Sequence, residues 1–172
     1  AVTAGYVTAK ARPAFFKHID ASNVDLKAFD ETFYKKICGS HLQDVLDTLV
    51  YLKNETAVWF EITTLLIPDS NDSVDEITRM SAWIVENLGV DVPIHFSAFH
   101  PDYKMMDKIR TPAETLMRAR NIALDAGIRH VYTGNVHFIE GDTTFCHSCG
   151  SRLIVRDWYN LLVWNIDESG SC

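Results

Sequence analysis

In the segment NVDLKAFD, residues 23–30, Asn23, Asp25 and Lys27 alternate with Val24, Leu26 and Ala28. A strand points successive side chains to opposite faces, so the amide, the carboxylate and the ammonium share one face. Charges on a sheet face are costly unless they pair with one another or line a site. A second strand-like run, residues 58–67, repeats the pattern: Glu61 and Thr63 share parity with Trp59. His100 closes a third run just before Pro101, and Thr133 and Asn135 close a fourth. Parallel α/β proteins bind ligands at the carboxyl ends of their strands, which makes Asp25, Lys27, Glu61, Thr63 and His100 candidate ligand-binding residues. One charged pair alone has a structural explanation; polar groups on successive strands favour a site. The remaining histidines (His18, His41, His95, His130, His137 and His147) have no neighbouring pattern and read as surface or packing residues.

The cysteines suggest a second kind of chemistry. FCHSCGSRL carries Cys146 and Cys149 as a Cys-x-x-Cys followed by Gly150, and Cys172 follows the run SGS. A structural zinc site takes four such ligands from two knuckles. Cys172 would open the second knuckle, which gives Cys146, Cys149 and Cys172 as candidate metal ligands. A thioredoxin-like redox pair is the rival, but it opens a helix, and GSRLIVR has the composition of a strand. Cys38, before Gly39, reads as a buried small apolar residue.

These residues must be positioned by alternating elements. The spacing predicts an amphipathic helix over residues 8–19, a strand over 23–29, a short helix over 30–37 and a longer one over 41–53. A strand over 58–67 follows, then a helix over 73–88 with Ser73 and Glu76 as a capping box and Gly89 as its stop. VPIHFSAFH reads as a strand, TPAETLMRARNIALDAG as a helix with Thr111 as N-cap, and IRHVYTGNV as a fifth strand. Strand and helix in alternation mean βαβ units and a parallel sheet over residues 1–138. Residues 139–172 change character and predict a small antiparallel tail. A full eight-stranded barrel takes about 250 residues. The chain opens within a strand, so it is expected to be part of a longer protein.

Composition narrows the function classes. Of 172 residues, 47% are apolar and 23% charged, enough for one sizeable core. The net charge of −7, with no basic cluster, speaks against a nucleic-acid partner. There is no apolar run of the roughly 18 residues that a membrane span needs. Four cysteines without a secretory signal point to a reducing compartment, the cytoplasm.

Taken in order, VTAGYVT, NVDLKAFDETFYKKICG, VLDTLVYLKNETAVWFEITTLLIPDSNDS, DVPIHFSAFHPDYKM, VYTGNV and TFCHSCGSRLIVRDWY resemble the C-terminal part of radical S-adenosylmethionine (SAM) enzymes. The subgroup is similar to the pyruvate formate-lyase activating enzymes and is associated with the AmmeMemoRadiSam system. The resemblance implies an α/β fold: a fragment of a partial (β/α)₆ TIM-like barrel, about five parallel strands here, followed by a zinc-ribbon-like tail. It implies a [4Fe–4S] cluster and SAM, cleaved reductively to a 5′-deoxyadenosyl radical that abstracts hydrogen from substrate. By position, Asp25 and Lys27 match an Asp-x-Lys that contacts the methionyl portion of SAM. Glu61 matches a polar residue of the next strand, and His100 a histidine near the ribose and adenine. The substrate is unspecified, a protein in the case of glycyl-radical activation, and the electron donor would be a flavodoxin or ferredoxin. Two departures stand out. Thr3-Ala4-Gly5 replaces the family's Thr-Asn-Gly, with Val2 where activating enzymes carry Asp, and no Cys-x-x-x-Cys-x-x-Cys is present. The cluster ligands are therefore expected outside this chain, which holds no catalytic residue of its own and should not cleave SAM alone.

Two other classes fit parts of the sequence. Asp25, Lys27 and Asp30 form the Asp-x-Lys-x-x-Asp of barrel enzymes that decarboxylate or isomerise sugar phosphates and orotidylate, though VYTGNVHFIEGD offers no phosphate cradle. A non-catalytic zinc-binding interaction module is the other.

Overall fold

The computed structural model describes residues 1–172. Five strands, β1 (Val2–Thr3), β2 (Ala21–Asp25), β3 (Trp59–Leu66), β4 (Ile94–Ala98) and β5 (Val131–Gly134), pair in parallel and in sequence order. Between them run α1 (Arg12–Phe16), α2 (Glu31–Phe33) with a π-helical turn over Tyr34–Cys38, α3 (Leu42–Glu55), α4 (Val74–Leu88) and α5 (Ala113–Asp125). Each crossover moves one strand along in the same direction. Right-handed connections therefore stack every helix on the same side of the sheet. The other face carries no helix.

Strand parity follows this asymmetry. Val24, Ile62, Ile94, Phe96 and Val131 face the helices and belong to one buried core, with Val45 and Leu49 of α3, Ile77 and Ile84 of α4, and Leu116 and Ala119 of α5. Each fully buried aliphatic side chain contributes about 1.5–3 kcal/mol. On the open face stand Asn23, Asp25, Glu61, Thr63, His95, Ser97 and Tyr132, all half-buried. Register pairs Asp25 with Thr63, Thr63 with His95, and His95 with Tyr132, so these four form one row across β2 to β5. No helix is long and apolar enough to cross a membrane.

A second sheet is antiparallel: β6 (Thr144–Phe145), β7 (Arg152–Asp157) and β8 (Asn160–Trp164). The two longer strands were expected from sequence; β6, only two residues long, was not.

Four local expectations need correction. The first helix spans only Arg12–Phe16, because Pro13 can occupy only its first turn and the segment before it folds as turns. Ser73 caps α4 by accepting from Glu76 N, but the Glu76 carboxylate does not return to Ser73; it accepts from Phe29 N at 2.6 Å. Thr111 is no N-cap. Pro112 holds that position, and the buried Thr111 hydroxyl accepts from Phe99 N and donates to Leu66 O, tying β3 to the end of β4. The short helix continues as a π turn closed by Gly39 at φ 65°, a left-handed conformation suited to glycine.

Candidate functional site

At the carboxyl end of β2, Lys27 Nζ lies 2.7 Å from Asp25 Oδ2 on the open face, both side chains about one third exposed. The backbone beneath them is held from three sides. Lys27 N donates to the hydroxyl of Tyr34, a buried residue of the π turn, at 3.0 Å. Asn71, fully buried, donates to Lys27 O at 2.6 Å and Leu65 O at 2.9 Å and accepts from Ile67 N. Glu76 fixes Phe29 two residues on. Burial pushes the Glu76 carboxyl up, and burial raises the Tyr34 phenol likewise. Lys27 thus extends from a backbone with little freedom, while its side chain reaches solvent. Beside it a cavity of about 450 Å³ opens between Ala4, Tyr6, Tyr34, Ile37 and Cys38. Burial raises the Cys38 thiol, and the Lys27 ammonium opposes that shift. Between the lining residues Ala4 and Tyr6, Gly5 packs on the core: its φ is 69°, and a Cβ there would lie 2.8 Å from Val24.

Glu61 and Thr63 also face the open side, as their parity required. Glu61 has a partner the sequence reading passed over. Its Oε2 lies 2.6 Å from His95 Nε2, and its Oε1 accepts from Trp59 Nε1 at 3.3 Å. The His95 hydrogen bond holds the Glu61 carboxyl below its ordinary range, against the opposing effect of burial. The His95 ring stacks on Tyr132 at 5.0 Å, and the Tyr132 hydroxyl bonds Thr144 of the tail at 2.9 Å. His95 alternates with Ile94 and Phe96 just as Asp25 alternates with Val24 and Leu26, so parity alone would have found it.

Other candidates lie apart. His100 is exposed, two residues past the end of β4. Thr133 faces the helix side with its hydroxyl buried and unpartnered; Asn135, at φ 62°, donates to Ala98 O and so anchors the β5 loop. Asp30 turns away from Asp25 and Lys27 to cap α2, accepting from Phe33 N at 2.7 Å.

In the tail, the thiols of Cys146, Cys149 and Cys172 lie within 4.8 Å of one another, although 26 residues separate the first from the last. Cys172 Sγ is 3.6 Å from Cys146 and 3.7 Å from Cys149. The knuckle closes through Cys146 N to Ser151 O and Gly150 N to Cys146 O, with Gly150 at φ 72°. Hydrogen bonds from Ser151 lower the Cys149 thiol. Three convergent thiols could bind a metal ion.

The chain is thus a parallel α/β protein with its helices on one side, a polar open face on the other, and a thiol-bearing antiparallel tail. No protein-family profile matches the sequence. It is 40% identical over 172 residues to the uncharacterized protein MJ0808 of Methanocaldococcus jannaschii, a match covering 99% of this chain and 50% of that protein. The chain therefore spans about half the length of this relative. The fold is similar to the crystal structure of a domain of pyruvate-formate lyase-activating enzyme from Bacteroides vulgatus, with a TM-score of 0.66 and 16% identity over 77% of this chain and 79% of that one. At that identity the likeness establishes the fold.

Proposed function

We propose that this chain is the SAM-binding part of a radical SAM enzyme related to the pyruvate formate-lyase activating enzymes. In this reading its five strands belong to a partial (β/α)₆ barrel, and residues 139–172 form a zinc-ribbon-like unit. The observation that carries it is the Asp25–Lys27 pair on the open face at the carboxyl end of β2, beside a cavity of about 450 Å³. An ammonium has three donors and Asp25 takes one, so Lys27 can still hold a carboxylate. Asp25 engages one oxygen with Lys27 and can accept from an ammonium with the other. Together they fit the amino-acid end of SAM. The likeness of fold to a domain of an activating enzyme supports the same reading.

The residues have separate tasks. Lys27 and Asp25 hold the methionyl end; Thr63, the row partner of Asp25, lines the same floor; His100, at the rim of β4, serves the nucleoside end. Glu61, with both oxygens engaged, acts toward a cofactor only through His95. When bound, SAM supplies the 5′-deoxyadenosyl group for hydrogen abstraction. The [4Fe–4S] cluster of such enzymes does not fit the cysteines present: three gather on the tail and Cys38 stands alone. Its ligands are assigned to another part of a longer protein, together with an electron donor of the flavodoxin or ferredoxin kind and an unidentified substrate, a protein if the activity is glycyl-radical activation. Cys146, Cys149 and Cys172 suit three positions of a tetrahedral zinc site. The sugar-phosphate alternative loses support because Asp30 is spent on the α2 cap.

The test is to titrate isotopically labelled protein with SAM and follow its NMR spectrum. Saturable shifts at Asp25, Lys27 and Thr63 are expected; shifts confined to the tail, or none, would overturn the reading.

A further inference from the structure

Between the open face and the tail lies a second cleft, about 240 Å³, lined by Glu61, His95, Tyr132, Thr133, Asp142, Arg156 and Trp158. It is built from both sheets and shares no lining residue with the cavity at Lys27. Two features of it are unusual for a merely structural contact.

The first is the Glu61–His95 pair. Glu61 is ionised at neutral pH and can only accept, so His95 Nε2 carries the proton between them. The other ring nitrogen, Nδ1, is left with a free lone pair, and the stacked Tyr132 fixes the ring plane. A carboxylate that sets the tautomer of an imidazole leaves its far nitrogen a base. The second feature is Arg156. Its Nη1 is committed to Asp142 O and Thr144 Oγ1, which orients the guanidinium and leaves Nη2 for another acceptor.

We propose that this cleft binds a small oxyanion-bearing molecule, with Arg156 as its anion hold and His95 as its proton acceptor. The step is a proton transfer. An X–H group of the ligand, X being oxygen or nitrogen, gives its proton to His95 Nδ1; the X–H bonding pair stays on X; the imidazolium formed is held by the Glu61 carboxylate. Glu61 is a positioning residue. Asp142, the other carboxyl group lining the cleft, is pushed up by burial. The row Asp25–Thr63–His95–Tyr132 places the two sites side by side on one sheet face.

The test uses inorganic phosphate as the probe, against sodium chloride at matched ionic strength, read from the His95 ring and Arg156 side-chain NMR signals. Phosphate should move both in a saturable manner and chloride should not. Arg156→Ala should weaken the effect at least about tenfold, as expected for loss of one charge-assisted hydrogen bond, with Arg156→Lys intermediate. Glu61→Gln should leave anion binding measurable but alter the His95 tautomer, seen in its ring nitrogen shifts. Equal shifts with chloride, or a His95 response unchanged by Arg156→Ala in a folded variant, would overturn the proposal. No SAM is present, so failure here is separate from failure of the SAM reading.

Discussion

Asn71 carries the carbonyl of Lys27 on its amide, 2.6 Å away, while the same side chain bridges Leu65 O and Ile67 N. One fully buried amide thus joins the end of β2 to the end of β3 and fixes where the Lys27 side chain starts. Asn71→Ala takes the side-chain partner from one buried and two partly buried backbone groups and is expected to cost about 3 kcal/mol. Denaturant unfolding measures that cost. Asn71→Asp, which removes both donors and adds a charge, should be at least as damaging. Variants as stable as wild type would remove Asn71 from this role.

Glu31 caps a helix it does not belong to. Its carboxylate accepts from Leu42 N, the first residue of α3, at 2.9 Å and bonds His41 Nδ1 at 2.7 Å. His41 chiefly, then Leu42 N, lowers the carboxyl to about 2 from an ordinary 4.5. A lowered folded-state pKa gives stability that is present above the unfolded value and lost as pH falls through the folded one. Thermal unfolding of wild type and Glu31→Gln should therefore differ above pH 4.5 and converge near pH 2. A constant difference across that range would contradict the cap.

Tyr132 ties the tail to the open face through Thr144, two residues before Cys146. Tyr132→Phe removes one hydrogen bond and should cost about 1 kcal/mol. The loss should be local. Amide exchange should quicken in β6 and β7 and stay unchanged in β2 and β3; uniform quickening would show that the bond does not dock the tail.

The thiol triad should take up one divalent ion. With cobalt as a spectroscopic substitute for zinc, wild type should show thiolate-to-metal charge-transfer absorption that weakens in Cys149→Ser and in Cys172→Ser alike. A Cys172→Ser protein that binds cobalt as wild type does would reduce the site to the Cys146–Cys149 pair.

Much of this was legible in strand parity, because period-two alternation is a local property. Asp25, Glu61 and Thr63 face the open side as the pattern required, whereas β2 ends at Asp25 and Lys27, two residues beyond it, is placed by its contact with Asp25. His95 follows the same rule, yet a histidine between Ile94 and Phe96 offers no charged neighbour in sequence; its partner Glu61 is 34 residues away. Glu76 and Thr111 misled for the opposite reason. Their spacing fits helix caps, but buried backbone groups at Phe29, Leu66 and Phe99 needed partners more. Of the cysteines, the Cys-x-x-Cys was visible as a motif, whereas the approach of Cys172 depends on how β7 and β8 return the chain.

The central claim, that the open face at β2 receives the amino-acid end of SAM, is tested most directly by calorimetric titration with SAM of wild type, Lys27→Ala and a surface control, Lys53→Ala. Wild type and Lys53→Ala should bind alike, and Lys27→Ala should bind at least about tenfold more weakly, the loss of one charge-assisted contact to a carboxylate. Equal SAM affinity in all three proteins would contradict the account.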